Sequence, residues 1–205
     1  TRCLSDWSSD VCSSDLRSRT DTPNFLASPP NCSSSSSAPD NVIVPLGYGS
    51  NVSGCAIGFG ELLRNGEITK MPRIFGVQAA NCAPYLNAYQ AGVDHLIPTT
   101  ITPTIAEGIA SSKPTRVVEA LKAVRDSGGG IVAVSEDEIV AALGTLARKG
   151  FYVESTSAAA AAGLTQLLAS GAIKPNESTV LVLTGTGLKA SEKIGELLKL
   201  QAREM

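Results

Sequence analysis

From Asn41 onward, short unbroken apolar runs alternate with longer stretches in which apolar residues recur every three or four positions. The first pattern is that of buried strands and the second that of helices with one apolar face. Strands are predicted at 42–46, 73–78, 131–134, 151–153 and 179–183. Helices are predicted at 52–64, 84–90, 116–126, from Ser135 to Gly150, at 157–170 and at 188–202. Val52, Ala56, Phe59, Leu62 and Leu63 form one face of the first helix, with Asn51 or Ser53 as its cap. Pro84 suits the first turn of the second helix. Ser127-Gly-Gly-Gly130 is a helix stop ahead of a strand. Ser135-Glu-Asp-Glu138 has the form of a capping box, launching a helix with Ile139, Val140, Leu143, Leu146 and Ala147 on one face; Gly150 ends it. Strands joined by helices predict an α/β fold: a mainly parallel twisted sheet flanked by helices, with right-handed crossovers and ligands at the strand C-terminal ends. No internal repeat is visible.

In Asn41-Val-Ile-Val-Pro-Leu-Gly-Tyr-Gly-Ser-Asn51 an apolar run breaks into a glycine loop and then a helix. Such a loop turns its N–H groups inward, and the helix adds the positive end of its dipole, which together make an anion cup. An ordinary strand-to-helix turn fits the same residues, since two glycines are a short signal. Two further loops follow strand ends: Glu154-Ser-Thr-Ser157 and Thr184-Gly-Thr-Gly187. A parallel sheet brings all three to one edge, where Thr184 offers a hydroxyl held at the end of a strand. The connection 92–103 is rich in Thr and Pro, lacks a period and reads as a binding loop. Its lone His95 has the ordinary reading of a surface or packing histidine.

A chain of 205 residues with a net charge of −2 carries no basic stripe, so nucleic acid is not an expected partner. No apolar run reaches the roughly 20 residues that cross a bilayer. The N-terminus lacks the order of a signal peptide, and a cytoplasmic location without membrane association is expected. Cys55 and Cys82 show no CxxC spacing, which points to buried thiols rather than a metal site or a disulfide.

Residues 1–40 are serine-rich, contain Pro29-Pro30 and the run Ser33 to Ser37, and show no period. They read as a disordered tail by composition. A second reading is that they are not native. Asp6-Trp-Ser-Ser-Asp-Val-Cys-Ser-Ser-Asp-Leu16 resembles the conceptual translation of a sequencing adapter, in which case Trp7, Cys3, Cys12 and Cys32 belong to an artefact.

Several stretches in order carry a family resemblance: Val44-Pro-Leu-Gly-Tyr-Gly-Ser-Asn51, Gly76-Val-Gln-Ala79, Thr104-Ile-Ala-Glu-Gly-Ile109, Ser127-Gly-Gly-Gly130, Glu154-Ser-Thr-Ser-Ala-Ala159 and Leu183-Thr-Gly-Thr-Gly-Leu-Lys189. With them the chain resembles the C-terminal portion of the threonine synthases. These are enzymes of the tryptophan synthase β-subunit-like superfamily that depend on pyridoxal 5'-phosphate. The resemblance implies that residues 41–205 are part of a fold type II large domain. It implies that Gly47, Tyr48, Gly49, Ser50 and Asn51 wrap the cofactor phosphate, Tyr48 through its backbone N–H, and that Thr184 hydrogen-bonds the pyridine nitrogen. Ser155 stands where the family has Pro, which bears only on the local turn.

The family's Schiff-base lysine lies in a Ser-x-Lys segment upstream of the phosphate loop, and nothing matching it precedes Asn41. Lys189 is not that lysine and reads as a surface lysine at a helix start. No catalytic residue is therefore assigned, and the chain as given is expected to be inactive. The implied activity of the parent is conversion of O-phosphohomoserine, a small-molecule amino-acid substrate, and water to threonine and phosphate. A homodimer fits the parent, although the sequence fixes no oligomeric state. A threonine or serine dehydratase, or a diaminopropionate ammonia-lyase, remains an alternative. A non-catalytic phosphate-binding module is an alternative of another class.

Overall fold

The computed structural model describes residues 38–199; the readings made for residues 1–37, Trp7 and Cys3, Cys12 and Cys32 among them, lie outside these. Strands β1 (Asn41–Pro45), β2 (Arg73–Ala79), β3 (Gly130–Val134) and β4 (Thr179–Leu181) form one parallel sheet in the order β3-β2-β1-β4. The helices are α1 (Ser50–Arg64), α2 (Pro84–Gln90), α3 (Val117–Asp126), α4 (Glu136–Arg148), α5 (Ser155–Ala169) and α6 (Ser191–Leu197).

Alternation along β1 divides the interior into two layers. Val42, Val44 and Leu46 face α1, α2 and α3 through Val52, Tyr85, Ala88, Leu121 and Val124. Ile43 faces the other way, into a core with Val77, Ile139, Leu143, Leu146 and the alanines of α5. This is the two-sided burial a parallel sheet requires. Helix α5 is buried from Ser155 to Leu164. It lies so close to the sheet that a β-carbon on Gly163 would meet Val77 Cγ2 at 2.4 Å, which explains why its inner face is built of Ala and Gly.

The α/β class, the parallel sheet and α2 agree with the sequence reading, and so does the capping box. Ser135 Oγ accepts from Glu138 N and the Glu138 side chain accepts from Ser135 N. Other expectations are corrected. Helix α1 is capped by neither Asn51 nor Ser53: Gly49 is its N-cap at φ 92°, and it has no side-chain cap. Asn51 already lies within the first turn, and the Ser53 hydroxyl is buried without a partner among the described residues. Leu63 is exposed on α1, and Ala147 on α4. The predicted strand at 151–153 is a single antiparallel bridge, Val153 with Thr186, flanked by hydrogen bonds from Glu154 N to Gly185 O and from Gly187 N to Tyr152 O. β4 is shorter than 179–183 and only half-buried, since it stands at the sheet edge with β1 as its one neighbour. The last predicted helix begins instead as a 3-10 turn, Gly187–Ala190, started by Thr186, whose Oγ1 accepts from Leu188 N, and it breaks before α6 at Ala190, which has φ −131°.

Candidate functional site

At the C-terminal ends of the strands lies a cavity of about 310 Å³. Pro45, Gly47, Tyr48, Gly49, Ser50 and Asn51 line it from one loop, Gly108 and Ile109 from a second, Glu154 and Thr156 from a third, and Thr184 from a fourth. All six residues that the sequence singles out therefore stand around one space. The connection 92–103 contributes nothing to this lining. His95 is exposed, 3.4 Å from Asp94, and Lys189 is exposed on the turn after Thr184.

The floor of the cavity is the start of α1. A helix leaves its first N–H groups without intrahelical partners, and here Gly49 supplies no side chain to satisfy them. The first turn also carries no acidic residue that would oppose an anion. The floor thus presents backbone donors and the positive dipole end to whatever enters.

Two close approaches hold this floor in shape, and both need glycine. A β-carbon on Gly49 would fall 2.5 Å from the hydroxyl of Tyr85, and the left-handed φ of 92° is itself costly for other residues. Tyr85 is fully buried and donates its hydroxyl to the carbonyl of Tyr48 at 3.1 Å. Burial, and secondarily the charge of Glu119, push its phenol up to about 12, so the group stays a donor at neutral pH. Gly47 lets the second loop close in: a β-carbon there would meet Gly108 O at 2.9 Å. That loop is tied down from behind. Glu136 accepts from Thr104 Oγ1 at 2.6 Å and from Ile105 N at 2.7 Å, and Gly108 N donates to Thr156 Oγ1 at 3.1 Å.

The Thr184 end is also organised. Ser157 Oγ accepts from Gly185 N at 3.0 Å, and its own proton has two acceptors at 3.3 Å, Gly185 O and Thr184 Oγ1. When Ser157 donates to Thr184 Oγ1, the Thr184 hydroxyl keeps its own proton for a ligand. Ser157 and Tyr85 are positioning residues that sequence reasoning missed as site residues, although Ser157 lies in one of the converging loops. Gly108, Ile109, Glu154 and Thr156 were likewise not assigned, even though Thr104 to Ile109 and Glu154 to Ala159 are among the stretches that carry the resemblance.

These residues fit pyridoxal phosphate by their own chemistry: uncapped backbone donors for a phosphate, glycines that keep the space open, and a hydroxyl at the Thr184 end for a ring nitrogen. Comparison with known proteins agrees. The chain is similar to threonine synthase of Methanocaldococcus jannaschii, with 41% identity over 152 residues, which is 74% of this chain and 38% of that protein. It is 34% identical over 157 residues to threonine synthase of Methanosarcina acetivorans, covering 76% of this chain and 39% of that one. The chain thus spans less than half the length of these relatives. In fold it is similar to threonine synthase from Escherichia coli, with a TM-score of 0.60 at 18% identity over 80% of this chain and 36% of that one. The processed form of threonine deaminase isoform 2 from Solanum lycopersicum gives 0.59 at 24% identity, over 78% and 45%. Residues 33–185 match the family model described as pyridoxal-phosphate dependent enzyme, and the chain belongs to that family.

Proposed function

We propose that this chain is the part of a threonine synthase that grips pyridoxal phosphate, and that the parent enzyme converts O-phosphohomoserine and water to threonine and phosphate. The observation that carries this reading is the shared cavity: the uncapped start of α1 at Gly47–Asn51 and the Thr184 hydroxyl open into one space. When bound, the cofactor supplies an electron sink for reaction at the amino acid's α- and β-carbons.

The chain's own part is to bind and orient. Backbone N–H groups of Tyr48, Gly49, Ser50 and Asn51 hold the phosphate, with the α1 dipole behind them. Tyr85 fixes the Tyr48 carbonyl and thereby the turn of that loop. Thr184 donates to the ring nitrogen while Ser157 keeps the hydroxyl aimed. A hydroxyl cannot give up its proton there as a carboxylic acid can, so Thr184 alone leaves the ring a moderate acceptor of electrons.

No lysine lines the cavity, and the first lysine of the chain is Lys70, beyond the phosphate loop. The reaction needs a lysine amine to hold the cofactor and move protons. Binding without turnover is therefore the proposed behaviour of the chain as given. The test is equilibrium dialysis with pyridoxal phosphate, with inorganic phosphate as competitor, beside an assay for threonine formed from O-phosphohomoserine. Saturable, phosphate-competed binding with no threonine is expected. Absence of saturable binding, or turnover by this chain alone, would contradict the proposal.

A further inference from the structure

Gln78, near the C-terminal end of β2, is polar yet fully buried. Its amide joins two elements. Oε1 accepts from Leu86 N in α2 at 3.0 Å, and Nε2 donates to Leu46 O at 3.3 Å. One partner is a donor and the other an acceptor, so the side chain must offer both functions, which an amide does and a carboxylate or an apolar chain of the same length does not. Leu46 is the residue just before Gly47. Two positions further on, the Tyr48 carbonyl accepts from the Tyr85 hydroxyl of α2 at 3.1 Å. Gln78 and Tyr85 therefore hold the two carbonyls that flank Gly47.

The peptides of the loop are trans. In a trans peptide the carbonyl and the N–H of the next residue point in opposite directions. Drawing the Leu46 carbonyl to Gln78 turns the N–H of Gly47 the other way, and drawing the Tyr48 carbonyl to Tyr85 does the same for the N–H of Gly49. Both glycines line the cavity, and among the described residues neither N–H has an acceptor. We propose that Gln78 is a positioning residue of the anion cup: by holding the Leu46 carbonyl it sets the Gly47 N–H toward an anion in the cavity, as Tyr85 does for that of Gly49. The inference rests on the reading of Gly47–Asn51 as an anion cup. Its effect is preorganisation. A glycine peptide left free samples several orientations, and an anion that binds it must also bear the cost of fixing one. Burial makes the brace stiff, because giving up either bond of Gln78 leaves a buried group unpaired. Helix α2 thereby belongs to the site without lining it.

The experiment titrates the isotopically labelled chain with sodium sulfate, an anion that cannot react with lysines, and follows backbone amides by nuclear magnetic resonance in the wild type, Gln78→Met and Tyr85→Phe. Met is as long as Gln and has neither of its hydrogen-bonding groups. In the wild type the Gly47 amide should shift with those of Gly49, Ser50 and Asn51 along one saturation curve. In Gln78→Met sulfate should bind about fivefold more weakly, the Gly47 response should be largely lost, and Ser50 and Asn51 should still respond. In Tyr85→Phe the loss should fall on Gly49 instead. Wild-type affinity in folded Gln78→Met, or an equal loss at every cup amide in that variant, makes Gln78 a packing residue and overturns the proposal. Should Gln78→Met not fold, the wild type still decides. A Gly47 amide that stays unmoved while Ser50 and Asn51 shift overturns the role of Gln78 but leaves the anion cup standing, and one that shifts with them supports it. Absence of any response from the cup amides of the wild type overturns both.

Discussion

The hydroxyl of Tyr85 occupies the space where a side chain on residue 49 would begin, 2.5 Å from the position of a β-carbon on Gly49. The same hydroxyl is hydrogen-bonded to the carbonyl of Tyr48, one residue earlier. A helix on one side of the sheet thus sets the shape of the loop at the strand end. The missing side chain at 49 is what allows it.

Gly49→Ala should lower stability by at least about 2 kcal/mol, from the left-handed φ and the collision together. Tyr85→Phe should cost about 1 kcal/mol through loss of one buried hydrogen bond. The two residues share a space, so the double variant should be less destabilised than the sum of the singles. Urea unfolding of the four proteins measures the coupling. Strict additivity would show that the hydroxyl does not fill the position the structure gives it.

The three glycines at the junction of α3 and β3, Gly128, Gly129 and Gly130, have separate duties. Gly128 takes φ 69°, whereas a β-carbon on Gly129 would fall 1.9 Å from Ile74 O and one on Gly130 would meet only Phe75 at 3.6 Å. Substitution by Ala should therefore be worst at 129, by more than about 3 kcal/mol, near 1 at 128 and small at 130. Thermal unfolding of the three variants tests this order.

How much of this was legible beforehand depends on whether the cause is local. The glycine cup could be read because Gly47 and Gly49 follow an apolar run directly, and the capping box because its partners are three residues apart. Tyr85 could not. A tyrosine in a helix start reads as a core residue, and nothing nearby in sequence says that its hydroxyl reaches across to Tyr48 and Gly49. Residues 179–183 read as a buried strand because an apolar run looks alike at the centre and at the edge of a sheet. Edge position belongs to strand order, which depends on distant partners. The stop at Ser127-Gly-Gly-Gly130 was legible as a stop, but the need for glycine at 129 comes from Ile74 on another strand.

Asp40 links the starts of β1 and β4. It pairs with Lys70 and accepts from Ser178 N and Ser178 Oγ, each at 2.9 Å. The hydrogen bond from Lys70, followed by those from Ser178, lowers its carboxyl from 3.8 to about 2. A depressed acid contributes stability above its unfolded value and loses it as pH falls through the folded one. Stability should therefore fall between about pH 4 and pH 2, and Asp40→Asn should flatten that part of the curve. An unchanged acid limb in Asp40→Asn, measured by urea unfolding, would remove Asp40 from the account.

The central claim is that Gly47–Asn51 and Thr184 are two ends of one cofactor site. Amide-resolved nuclear magnetic resonance of the isotopically labelled chain tests it most directly during a titration with pyridoxal phosphate. The amide signals of Tyr48, Gly49, Ser50 and Asn51 should shift along one saturation curve with those of Thr184 and Gly185, and inorganic phosphate added alone should shift the first group while leaving the second nearly unmoved. Shifts confined to residues around surface lysines, with the cup amides unmoved, would contradict the claim.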